Sequence, residues 1–103
     1  MGMFDYITVE DPRILEEHKE INTWQTKSFM RTMAMIRLRN SQLKVQYKGL
    51  WFPVIACDEE FEFHTVVSTD KALRGIRYAG YIDTTCTVTE LHLLSDSYIP
   101  LKL

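Results

Sequence analysis

Two cysteines, three prolines and four glycines in 103 residues leave little from which to build a disulfide framework, a proline-rich linker or a glycine-rich phosphate loop. No apolar run approaches the roughly 20 residues of a membrane-spanning helix. The opening Met1 to Tyr6 lacks the basic flank and apolar stretch of a secretory signal, and Tyr6 stands where an N-myristoylation motif wants Ser or Thr. The sequence therefore predicts an intracellular protein without a lipid anchor and with no membrane partner, whose Cys57 and Cys86 are free thiols in the core. Motifs of catalysis are missing as well. There is no Gly-x-Ser-x-Gly elbow and no His-Glu-x-x-His helix, and the strand pattern turns Glu60, Glu62 and His64 together toward solvent. The expectation is a protein that is not an enzyme, with no catalytic residues and no cofactor.

What is present is an ordinary globular composition, 46% hydrophobic and 25% charged, enough for one core in a single domain spanning 1–103. The net charge of −2 gives no overall attraction to nucleic acid or to an anionic membrane. Its distribution is uneven. Residues 1–22 carry six acids (Asp5, Glu10, Asp11, Glu16, Glu17, Glu20), whereas residues 27–48 carry six bases (Lys27, Arg31, Arg37, Arg39, Lys44, Lys48) and no acid. A second acidic run, Asp58 to Glu62, follows.

Period-2 alternation dominates. Ala34 to Arg39 and Gln42 to Lys48 read as two strands joined by a two-residue turn at Asn40-Ser41. That turn pairs Leu38 with Leu43, Ile36 with Val45 and Ala34 with Tyr47 on an inner face, and sets Arg39 against Gln42 and Arg37 against Lys44 outside. Glu60 to Val67, Arg77 to Ile82 and Cys86 to Leu94 read as strands, with a turn at Asp83 to Thr85. Phe4 to Val9 and Thr23 to Lys27 are weaker strand candidates. A helix of two to three turns is expected from Pro12 to Ile21 behind an Asp11 cap, with Ile14, Leu15, His18 and Ile21 on one side, and a shorter helical turn around Ser68 to Leu73 ending at Gly75. The fold class expected is mainly β (α+β): an antiparallel sheet of about five to seven strands, a sandwich or partly rolled barrel, with one or two short helices.

Cys57-x6-His64 and Cys86-x5-His92 are the only spacings suggestive of a metal. Along one strand, Cys86 and His92 would lie roughly 20 Å apart, too far to close around one zinc ion. No metal ligands are assigned.

The basic hairpin is the sharpest feature. Arg37, Arg39, Lys44 and Lys48 share its outer side with the flexible side chains of Met33 and Met35, a surface suited to an acidic protein or a phosphate backbone. The competing reading is that these bases only neutralise the acidic segments of the same chain. Leu50 to Ala56 is the most apolar stretch, and Pro53 confines it to an edge strand or a core plug. Trp51 and Phe52 within it are candidate anchors beside the charged strip.

The opening Met1-Gly2-Met3-Phe4-Asp5-Tyr6-Ile7, with Trp24-Gln25-Thr26-Lys27 downstream, resembles a group of small bacteriophage and prophage accessory proteins that begin Met-Gly-Met-Phe-Asp and carry Phe-Gln-Thr-Lys. Trp24 stands where that group has Phe, and Glu16 to Glu20 replaces its Pro-rich segment. The likeness covers about the first thirty residues. It implies an accessory protein in the host bacterial cytoplasm that binds and modulates a host protein, with no catalytic motif to carry over.

Together these features lead to a non-enzymatic interaction module that binds a host protein with an acidic surface through Met33, Met35, Arg37, Arg39, Lys44, Lys48, Trp51 and Phe52. The alternatives are a nucleic-acid-binding β-domain whose basic strip extends to Arg74 and Arg77, and a homo-oligomeric structural component.

Overall fold

The alternating segments form eight strands: β1 (Asp5–Glu10), β2 (Trp24–Thr26), β3 (Met35–Arg39), β4 (Gln42–Tyr47), β5 (Leu50–Pro53), β6 (Glu59–Ser68), β7 (Ala72–Ile82) and β8 (Val88–Pro100). The computed structural model describes residues 3–29, 31–54, 58–68 and 72–100. All eight strands belong to one sheet in the order β5-β4-β3-β1-β2-β6-β7-β8. The mainly β expectation holds, with three corrections. The sheet has eight strands, it is mixed because β1 runs parallel to β3, and it is a single layer rather than a sandwich.

The parallel pair has a local cause. The chain leaves β2 and crosses the end of β1 before entering β3, and the fully buried Asp5 carboxylate holds that crossing by accepting from the backbone N–H groups of Arg31, Thr32 and Ala34 at 2.8, 2.9 and 3.1 Å. Arg31 and Met33 take left-handed conformations there, with φ of 53° and 60°.

The sheet curls without closing. Its ends approach where Gln42 bridges to Thr87, the Val88 N–H donates to the Ser41 carbonyl at 2.8 Å, and Arg13 donates to the Val88 carbonyl at 3.1 Å. The concave side holds the core: Ile7, Trp24, Ile36, Leu38, Phe61, Phe63, Ile76 and Tyr78 are all 1% exposed or less. Trp24 sits edge-on to both Phe63 and Tyr78, with ring centroids 5.2 and 5.6 Å away. Such contacts add to the area term that drives burial.

Residues 11–23 cover part of this concave side, but not as the expected helix. Only a single 3-10 turn forms, Glu16–His18. Asp11 folds back on Arg13, taking its backbone N–H and its guanidinium, and Leu15 is extended (φ −62°, ψ 145°) because its N–H donates to the Tyr78 hydroxyl at 3.0 Å. Tertiary hydrogen bonds thus replace the i to i+4 ladder. Ile14 and His18 still point inward, while Leu15 is 46% exposed. The helical turn expected at 68–73 is corrected too: Ser68 ends β6 and pairs with Leu73 of β7, and Gly75 lies within β7 opposite Val66. Residues 69–71 fall outside the described residues.

Cys86 is disulfide-bonded, which corrects its reading as a free thiol. It lies in the Asp83 to Thr87 turn, against which the Asp58 N–H docks by donating to the Asp83 carbonyl at 3.2 Å. The chain's other cysteine, Cys57, lies outside the described residues. Tyr47, placed inward by parity, is 62% exposed because β4 runs past the end of the core. Among the described residues no helix is long and apolar enough to cross a membrane.

Gly80 of β7 is packed against Phe61 of β6 and the Glu90 carbonyl of β8. A Cβ there would fall 2.7 Å from the Phe61 ring and 2.8 Å from the Glu90 carbonyl oxygen. Gly80→Ala should destabilise the fold by about 1–3 kcal/mol, the usual cost of overpacking a filled core. Urea denaturation followed by tryptophan fluorescence reads this directly, and an unchanged midpoint would refute the close approach.

Candidate functional site

The β3–β4 turn fixes the geometry of the basic face. Asn40 and Ser41 both have positive φ, 53° and 60°, the pattern of a type I′ hairpin turn whose twist matches the flanking strands. The resulting register pairs Ile36 with Val45, Arg37 with Lys44, Leu38 with Leu43 and Arg39 with Gln42, as the alternation predicts. Lys48 and Gly49, with φ of 52° and 80°, make a second tight turn into β5, which pairs Gln46 with Trp51 and Val45 with Phe52. Gly is the residue suited to that second position.

On the convex side this brings together Met35, Arg37, Arg39, Lys44 and Trp51. The Arg37 guanidinium lies 4.3 Å from the centre of the Trp51 ring, so β5 supplies an aromatic platform to the base that β4 opposes with Lys44. Among the described residues neither Arg37 nor Lys44 has a carboxylate partner, and only Arg39 reaches one, Glu10 on β1 at 3.7 Å. The remaining ion-paired acids are engaged elsewhere: Asp11 with Arg13, Glu16 with Lys19, Glu17 and Asp96 with Arg74, Glu62 with Arg77. Internal neutralisation therefore accounts for one base of the hairpin. A cleft of about 450 Å³ beside Arg37 and Arg39, walled by Thr8, Lys19 and Asn22, extends the polar surface toward β1.

Three of the expected residues lie off this face. Met33 is in the crossing loop, 53% exposed, with its N–H donated to the Phe4 carbonyl. Lys48 is at the β4–β5 turn, its ammonium 5.4 Å from the Tyr47 ring. Phe52 points to the side opposite Trp51, as adjacent strand residues must. It lines a groove of about 750 Å³ with Phe29, Val45, Tyr47 and Val54. That groove was not read from the sequence, although the inward parity of Tyr47 on a strand longer than its core was a usable sign.

A second feature escaped the sequence. His18, fully buried, places Nδ1 2.6 Å from the Tyr78 hydroxyl and Nε2 2.9 Å from Asp96 Oδ2, while Arg74 grips both Asp96 oxygens at 2.7 and 2.6 Å. Tyr78 accepts from the Leu15 N–H, which leaves its own proton for His18 Nδ1, and His18 Nε2–H then donates to Asp96. Glu17, His18 and Asp96 offer ligand atoms within 4.8 Å of one another, yet the Arg74 Nη2 stands among them, 3.3 Å from Glu17 and 3.2 Å from His18 Nε2. A guanidinium, rather than a metal, supplies the positive charge there. Hydrogen bonds from Arg74 hold the Asp96 carboxyl at about 2, below its ordinary 3.8, and the same contacts raise the Arg74 pKa further. This cluster also removes Arg74 from any basic strip, since it faces the concave side. Arg77 is on the convex side, bound to Glu62 at 3.1 Å. His64 beside it is pushed toward its neutral form by burial and by the charges of Lys27 and Arg77.

Comparison with protein-family models, curated proteins and solved structures finds no match. The chemistry of the basic face is therefore read from its own geometry.

The Asp96 cluster predicts a pH dependence. Folded Asp96 loses its charge near 2, whereas the unfolded carboxyl protonates near 3.8, so its contribution is whole above about pH 4 and drains away as the pH falls toward 2. Denaturation midpoints of the natural chain should fall more steeply over that window than those of Asp96→Asn. Parallel curves for the two proteins would exclude the mechanism.

Proposed function

We propose that the protein is a non-enzymatic interaction module that engages an acidic partner protein through the convex face of the β3–β4–β5 meander. The observation that carries this reading is the direct opposition of Arg37 and Lys44, without a carboxylate for either among the described residues, beside the half-buried ring of Trp51. Like charges opposite one another in a sheet destabilise it by a few tenths of a kcal/mol. A partner carboxylate between them would reverse that sign, and Trp51 would add apolar area at the centre of the contact. In the bacteriophage context implied by the first thirty residues, the partner would be a host protein. That context carries a bacterial cytoplasm, whereas the disulfide at Cys86 is a bond typical of oxidising compartments. The face itself serves either setting.

A second reading is favoured by one observation. Trp51 shares the face with Arg37 and Lys44, and bases interleaved with an aromatic ring suit an unpaired nucleotide strand. Its mark is an affinity that falls steeply with salt in proportion to the phosphates contacted.

Affinity capture from bacterial lysate, run with and without nuclease, separates the two. A protein retained after nuclease by the natural chain should be lost with the triple variant Arg37→Glu, Arg39→Glu, Lys44→Glu, and kept with Arg77→Glu. The purified pair should weaken at least about a hundredfold, ~2.7 kcal/mol, while unfolding of the variant stays cooperative. Equal binding by the triple variant would remove the face from the function, and material lost to nuclease would favour nucleic acid.

A further inference from the structure

The two edges of the sheet differ in kind. The β5 edge is four residues long and ends in Pro53, which has no N–H to offer a new strand. The β8 edge is thirteen residues long, contains no Lys or Arg, and its Pro lies at the final position. Its ladder to β7 is irregular between Arg77 and Tyr78 and between Tyr81 and Ile82, which places bulges near Leu94 and Thr89. Beyond the first of these, Ser95 to Ile99 pairs in regular register with Arg77 to Leu73. Of the devices that ordinarily blunt such an edge, this stretch has the bulge that precedes it at Leu94 and the inward-facing Asp96, whose charge Arg74 neutralises, but among the described residues it has no lysine, no proline within it and no covering element.

This stretch belongs to an arm formed by the far ends of β6, β7 and β8, past the last buried core residue, Ile76. On its convex side Val66 and Ile99 are each 61% exposed, with Leu73 beside Ile99 and only Gly75 opposite Val66. The arm thus joins an unpaired backbone edge to an apolar patch.

We propose that β8 pairs with β8 of a second copy of this chain, antiparallel and centred on Ser97, to continue the sheet across a two-fold axis. Charge selects the occupant. The only carboxylate or cationic side chain from Ser95 to Ile99 is Asp96, and Arg74 of the same chain already pairs with it. Two copies therefore meet without repulsion, whereas a strongly charged foreign strand would find nothing to pair with. Centring on Ser97 sets Asp96 opposite Tyr98 and Ser95 opposite Ile99 of the other copy. Concave-side residues then face concave-side residues, as antiparallel pairing requires. A two-fold axis satisfies both free edges with one contact. This assembly does not rest on the basic face.

Sedimentation equilibrium of the natural chain over about a hundredfold range of concentration should show a monomer passing to a dimer by mass action. Ile99→Lys, an exposed change that sets a charge on the edge, should shift the midpoint to at least about tenfold higher concentration with an unchanged circular dichroism spectrum. Ser97→Cys should give a disulfide-linked dimer on mild oxidation, since directly paired residues bring their Cβ atoms to about 5 Å. The cross-link also decides the matter should Ile99→Lys fail to fold. A natural chain that stays monomeric throughout, a dimer indifferent to Ile99→Lys, or absence of the Ser97→Cys cross-link would each overturn the proposal.

Discussion

The concave side of this sheet is organised around one buried imidazole. His18 is reached by Tyr78 from β7 and by Asp96 from β8, and Asp96 is in turn gripped by Arg74. Removing polar groups from water costs several kcal/mol unless each finds a partner, and here the donors and acceptors close on one another. The segment 11–23 has too few apolar residues to hold itself against the core by area alone. Its seat is made by this polar contact together with Ile14 and the Leu15 N–H bond to Tyr78. Because the segment also carries Arg13 to the Val88 carbonyl, the same clamp draws the two ends of the sheet toward each other. The indole nitrogen of Trp24, beside His18, is buried without a hydrogen-bond partner among the described residues. That loss is tolerated where three rings pack edge-on around it.

What could be read in advance follows from the range of the forces involved. The β3–β4 register was legible from Ile36 to Val45, though not out to the expected Ala34–Tyr47 pair, because it depends on a two-residue turn and on alternation close by in sequence. Pro53 limited the stretch from Leu50 to an edge strand or a core plug, and the structure makes it the edge. The parallel β1–β3 pair was not, since it needs the Asp5 carboxylate to collect N–H groups 26 to 29 residues away. The helix at 12–21 failed for a related reason: its apolar spacing is sound, but the Leu15 N–H is taken by a hydroxyl 63 residues further on. The candidate face was legible in its charges and illegible in its aromatic component. Trp51 and Phe52 look like one anchor in the sequence, and strand geometry divides them between a basic face and an apolar groove.

The two faces of the meander accordingly have different characters. Its convex side accepts an electrostatic cost at Arg37 and Lys44 that no carboxylate among the described residues relieves, although carboxylates are plentiful in the chain. Those acids are spent on shape instead: Asp5 on the crossing loop, Asp11 on the turn after β1, Asp83 on the Thr85 and Thr87 amides, and Asp96 on Arg74. An uneven charge distribution in the sequence thus becomes an uneven charge distribution in space, because these four acids are held by hydrogen bonds away from the convex side of the meander while Arg37, Arg39 and Lys44 stay on its strands.

The edges complete the same logic. A single curled layer that does not close must end twice, and each end exposes a row of backbone donors and acceptors. At β5 the chain stops after four residues at a proline, beside the charged face. β8 runs for thirteen residues, from the core positions Val88 and Leu91 to an end past Ile76, where Arg74 and Asp96 clamp the concave side while the convex side and the outer edge are uncovered among the described residues. Folding of the isolated chain gains little from that extension, since the entropy of ordering each residue is about 1–2 kcal/mol and the exposed Val66, Tyr98 and Ile99 return little of it. An arm of that composition gains from a strand laid across its edge, which the proposed pairing of β8 with its copy would supply.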